Sequence, residues 1–219
     1  MNINHPLKYK YFTYRKPYLI YIVLFFIFLM ASILSFRDLN DFYKYLSASI
    51  ILITFIFTVI NSAYEFTVLA THYLSLKTIK IEYLISSIIY SVINAIIQIS
   101  LILISYLIIK SFNPDIQQVF ALNSFAVYSF TFVIHLAIFS VIGLMSLFLK
   151  KVKYLQIALY LAILLIVALI SLEITNSIIE FVYNLYADNE FLLRLNPIII
   201  IITILIWIII YKKIKIAKK

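Results

Sequence analysis

Long apolar runs alternate with short polar breaks along the 219 residues. A helix needs roughly 20 apolar residues to cross a hydrocarbon core of about 30 Å. On that measure the runs predict six transmembrane helices, at 18–36, 46–64, 83–109, 119–149, 154–172 and 195–211. The last is the clearest: Ile198 to Ile210 is apolar apart from Thr203. At about −0.5 kcal/mol per apolar residue, inserting that stretch gains roughly 6 kcal/mol. The third run is long enough to tilt or protrude.

The breaks between the runs have characters of their own. Residues 1–17 carry Lys8, Lys10, Arg15 and Lys16 among Tyr9, Tyr11, Phe12 and Tyr14. They read as a cytoplasmic interfacial segment, either a short amphipathic helix on the inner leaflet or a plain basic flank. Asn113-Pro114-Asp115 marks a turn. Residues 173–194 form the longest outer connection, and 212–219 a basic tail. The stretch from Glu65 to Glu82, EFTVLATHYLSLKTIKIE, is too apolar for a solvated loop and suits a short helix ready to dock on a partner.

Composition sharpens the picture. Only 12% of residues are charged and 65% are hydrophobic. A soluble domain has roughly twice that charged fraction, so the apolar surface must face lipid and the fold class is all-α, a single polytopic membrane domain. With the N-terminus inside, inner segments hold 14 of the 18 Lys and Arg, whereas only Glu65 and Glu82 of the nine acids fall inside. That bias predicts a multi-pass protein of the cell membrane with both termini in the cytoplasm, and it accounts for the net charge of +9 without nucleic acid as a partner.

Several chemistries are excluded. There is no cysteine, hence no disulfide and no thiolate metal site. A phosphate-binding loop needs several glycines, and this chain has one, Gly143, inside the fourth run. His5, His72 and His135 lie in separate segments, without the paired spacing of a metal-dependent protease. The expectation is a non-enzyme with no cofactor or metal of its own.

Polar residues inside the runs follow helical spacing. Thr54, Thr58, Asn61 and Glu65 share one face of the second span, and Ser87, Ser91, Asn94 and Gln98 one face of the third, with Ser105 a heptad further on. Ser124, Tyr128, Thr131 and His135 repeat the pattern on the fourth. Such stripes either hydrogen-bond helices together, at about 0.6 kcal/mol per bond, or line a pathway or dimer seam. With no charge expected at mid-membrane, an ion or proton relay is disfavoured. Weakly polar faces among apolar walls suit an amphipathic or hydrophobic cargo better.

The arrangement resembles the membrane subunit of ABC-2 type (type V exporter-like) transporters, in which an N-terminal interfacial segment precedes six spans. In the connection between the second and third spans, Glu65 matches the family's acid, Tyr73-Leu74-Ser75-Leu76 its Leu-Leu-Ser-Leu-Pro-like run, and Lys77-Thr78-Ile79-Lys80 the basic or hydroxyl stretch before the next span. Lys77 stands near the family's proline, and the glycine after the acid is missing. Within the family the chain most resembles permeases that export phenol-soluble modulins or antimicrobial peptides. The resemblance implies a coupling helix from about Val68 to Lys80, with Glu65, Thr71, His72, Tyr73, Leu76, Lys77, Thr78 and Lys80 as ATPase-coupling residues. It further implies a separate ATPase subunit carrying ATP and Mg, a second permease copy or paralogue, and a peptide cargo, with roles in peptide resistance or virulence. The alternative is a non-transporting immunity or sensor-associated protein that binds a peptide or a membrane partner.

Overall fold

The computed structural model describes residues 4–36, 42–70, 80–112, 124–148, 181, 184–186 and 188–214. Among them are five long helices and no strand: α1 (Asn4–Phe36), α2 (Phe42–Tyr64), α3 (Lys80–Phe112), α4 (Phe125–Phe148) and α5 (Asn189–Lys213). One π-helical turn, Glu65–Leu69, prolongs α2. All five helices are long and apolar enough to cross a membrane. The run at 154–172, the centre of the 65–82 connection and most of the 212–219 tail lie outside the described residues.

Ile-rich stretches such as Ile198–Ile202 favour strands in water. In lipid every backbone N–H and C=O must be paired within the segment, so the same residues form helices. Local signals then set the ends. Ser124 Oγ accepts from the Val127 N–H at 3.2 Å at the start of α4. Asp188 Oδ1 accepts from the Phe191 N–H at 3.0 Å at the start of α5. That cap, with Glu190 in the first turn, starts α5 six residues before the predicted 195 and makes helix of the end of the expected outer connection.

At the N-terminus, α1 runs unbroken from Asn4 through Pro17, so the end of the expected interfacial segment and the first span form one helix. Proline has no N–H to donate to the Thr13 carbonyl. Tyr14 and Tyr18, on either side of it, are buried against the bundle and hold the helix in line.

α4 is the central helix, packed on α2, α3 and α5, and α1 lies chiefly against α3. Only 22% of the apolar window is buried in α1 and in α5, against 44% in each of the other three, so among the described helices these two are the most exposed. The core has two halves. One is largely aliphatic, around Leu29, Ile33, Ile50, Ile102 and Ile109. The other is largely aromatic, around Tyr14, Tyr18, Phe66, Tyr83, Tyr90, Phe139 and Trp207. Gly143 of α4 sits at the aromatic half, where a Cβ would run into the Phe66 ring.

Candidate functional site

The aromatic half encloses a column of hydrogen-bonded polar side chains from α1, α2 and α3. The stripes on α2 and α3 meet there. Asn94 Nδ2 donates to Thr58 Oγ1 at 3.1 Å, Asn61 Nδ2 donates to Asn94 Oδ1 at 3.1 Å, and Ser87 Oγ donates to Glu65 Oε1 at 2.7 Å. Helical spacing placed each set on one face, and the fold turns the two faces towards each other.

α1 supplies the third side. Lys10, Tyr14, Tyr18 and Tyr21 follow one another at helical intervals of four, four and three. Lys10 Nζ reaches Ser87 Oγ at 2.8 Å, Tyr14 OH donates to Glu65 Oε2 at 3.2 Å, Tyr18 OH to Asn94 Oδ1 at 2.5 Å, and Tyr21 OH to Gln98 Oε1 at 2.8 Å. The contacts from α1 to α3 keep a sequence offset of 76 or 77 residues, so the two helices run parallel and in register. At 1.5 Å per residue, Lys10 to Tyr21 spans about 16 Å of helix. Tyr18 is a junction: it also accepts from Asn61 Nδ2 at 3.1 Å and from Tyr90 OH at 3.3 Å.

The base of the column is charged. Lys10 Nζ lies 2.5 Å from Glu65 Oε1, and the two side chains are 1% and 0% exposed. The ammonium also sits 4.7 Å from the Tyr83 ring centroid. Burial lowers the Lys10 pKa from its ordinary value, and Glu65 opposes that by favouring the charged form. Isolated charges are expensive inside a bundle. This carboxylate has the ammonium, Ser87 and Tyr14 around it, and its backbone carbonyl accepts from Tyr83 OH at 3.1 Å.

The π-helical turn keeps Glu65, the last member of the second-span stripe, inside the bundle. It lies near the end of the apolar span Ser49–Leu69, with the Lys10 ammonium beside it. Lys10, Tyr14, Tyr18 and Tyr21 were missing from the sequence-derived set. Their helical spacing carries the signal, masked by reading the basic residues as an interfacial flank and Pro17 as a boundary.

The remaining candidates divide between the column and other places. Gln98 joins the column through Tyr21. Thr54 and Ser91 spend their hydroxyls on their own helices, donating to the Ile51 and Ile88 carbonyls at 2.7 Å each. The α4 stripe faces elsewhere: Thr131 Oγ1 donates to Tyr186 OH at 3.3 Å. His135 lies 2.6 Å through Nδ1 from the Thr131 carbonyl, which can only accept, so Nδ1 carries the proton. Its ring packs on Phe55 at 4.9 Å. Lys80 opens α3 with its ammonium 4.4 Å from the Tyr211 ring centroid. Thr71, His72, Tyr73, Leu76, Lys77 and Thr78 lie outside the described residues. Among the described residues, no group of three His, Cys, Asp or Glu could hold a metal.

The column ties three helices by directional bonds around one buried charge pair. Compared with family models, curated proteins and solved structures, the chain matches none.

Proposed function

We propose that the chain is the membrane-spanning permease subunit of an ATP-driven exporter. It would move amphipathic or hydrophobic peptides out of the cell with a separate ATPase subunit and a second permease copy or paralogue. In this reading it has six spans in the cell membrane and both termini in the cytoplasm. The resemblance of the 65–82 connection to the coupling element of ABC-2 permeases motivates it.

One structural observation carries it further. The 65–82 connection is held at both ends by the same buried cluster: Glu65 opens it, Tyr83 and Ser87 follow it, and Lys10 bonds to both sides. A push on the connection by an ATPase would therefore reach α1 as well as α2 and α3. Coupling through such a packed, hydrogen-bonded junction needs no flexible lever.

Purification in mild detergent tests this. The chain should bring down an ATP-binding subunit whose hydrolysis rises with peptide. Leu76→Asp or Lys77→Glu should lower the stimulated rate by roughly tenfold, an ordinary coupling between two sites, and leave the isolated ATPase unchanged. A preparation with no ATPase partner, whose peptide binding ignores both substitutions, would overturn the proposal in favour of an immunity or sensor-associated role.

A further inference from the structure

Beside the column, α3 and α5 touch only sparsely, and an apolar slot runs between them. Two cavities of about 180 and 380 Å³ share Ile88, Ile204 and Trp207. The deeper one reaches Val133 and Ile200, and the shallower one ends at Ile81 and Tyr211. The rim residues Ile81, Ile204 and Ile208 are exposed, so the slot opens sideways from the bundle. The two hydroxyl side chains of the deeper cavity are already used: Ser91 Oγ donates to the Ile88 carbonyl and Thr203 Oγ1 to the Ile199 carbonyl, each at 2.7 Å. The remaining hydroxyl, that of Tyr211, stands at the shallow end.

From Ile200 to Tyr211 the slot runs about 16 Å along α5, about half of a 30 Å hydrocarbon core and thus one leaflet deep. Its shallow end is cationic. Lys80 lies on the Tyr211 ring, an arrangement that leaves ammonium protons for an anion, and Lys212 and Lys213 follow on the exposed end of α5. Glu82, the acid of the first turn of α3, is buried.

We propose that the slot binds one acyl chain of an anionic phospholipid from the leaflet at the Lys80 end, with its phosphate-bearing headgroup on Lys80 and Lys212. Basic side chains at the end of an apolar crossing attract anionic lipid. A second copy of the chain packed symmetrically across the slot would bring matching lysines together at the same depth, which disfavours that occupant.

Trp207 is the only tryptophan of the chain and lines both cavities, so its fluorescence reports what enters. The full chain is reconstituted into phosphatidylcholine vesicles doped with either phosphatidylglycerol or phosphatidylcholine carrying brominated acyl chains, which quench indole on contact. The anionic lipid should quench at about a fivefold lower mole fraction than the zwitterionic one, the preference expected from a single lysine near the surface. Lys80→Ala with Lys212→Ala should abolish the preference, and Ile204→Phe should weaken quenching by both lipids. Equal quenching curves in the unaltered chain would mean that Trp207 meets bulk lipid only. No quenching at all would mean that protein covers the slot, from this chain or a second copy. Either result overturns the proposal.

Discussion

Lys10 and Glu65 are the residues on which the column depends most. A buried ion pair gains little over apolar residues of similar shape, but a buried charge that loses its partner is costly, about 3–5 kcal/mol. Lys10→Met should therefore destabilise the chain by roughly that amount, and Lys10→Met with Glu65→Met should recover most of it. Thermal unfolding of the single and double variants in one detergent measures the difference. Additive losses would show that the two side chains act separately. The stripes on α2 and α3 were legible because period and polarity travel together in sequence, as in Thr54, Thr58, Asn61 and Glu65. Which stripe meets which was not legible. Spacing assigns residues to a face, but nothing in it says which helix lies opposite, and the α4 stripe with His135 looked equivalent yet faces Phe55 and Tyr186.

Among the elements, the π-helical turn meets α4 with no room for a Cβ at Gly143. Phe66 is fully buried among Tyr83, Phe139 and Trp207, and Gly143 leaves the room its ring occupies. Gly143→Ala puts a methyl group where that enclosed ring cannot easily retreat. It should cost about 1–3 kcal/mol, the usual range for overpacking, and Phe66→Leu in the same chain should restore part of it. Melting temperatures of the two variants compare directly. An unchanged melting temperature for Gly143→Ala would show that the ring moves freely. The sequence placed Gly143 inside an apolar run without hinting at this role, because close approach is a property of the neighbour. The helices themselves were easier to read: five of the six predicted runs overlap helices long and apolar enough to cross a membrane, since apolar length decides them. Their ends were harder. The Asp188 cap and the passage of α1 through Pro17 each extended a helix beyond its apolar run.

At the scale of the molecule, the six crossings we propose would have 154–172 span and return the C-terminus to the side of the N-terminus. The chain has no native cysteine, so Asn2→Cys and Lys219→Cys each carry a unique thiol. Both should resist a membrane-impermeant maleimide added to intact cells and react once the membrane is opened. Labelling of only one of them in intact cells would mean an odd number of crossings. The parallel register of α1 and α3 bears on how such a bundle could move. Tyr14, Tyr18 and Tyr21 present alike hydroxyls about a turn apart. If α1 slid along its neighbour by one turn, about 5.4 Å, each would hand its place to the next and the ladder would read nearly the same. The ammonium at its foot has no such understudy, since Arg15 and Lys16 point outward. It is the keyed tooth of an otherwise repetitive rack, and a chain deprived of it would have two resting positions where the native one has a single stop.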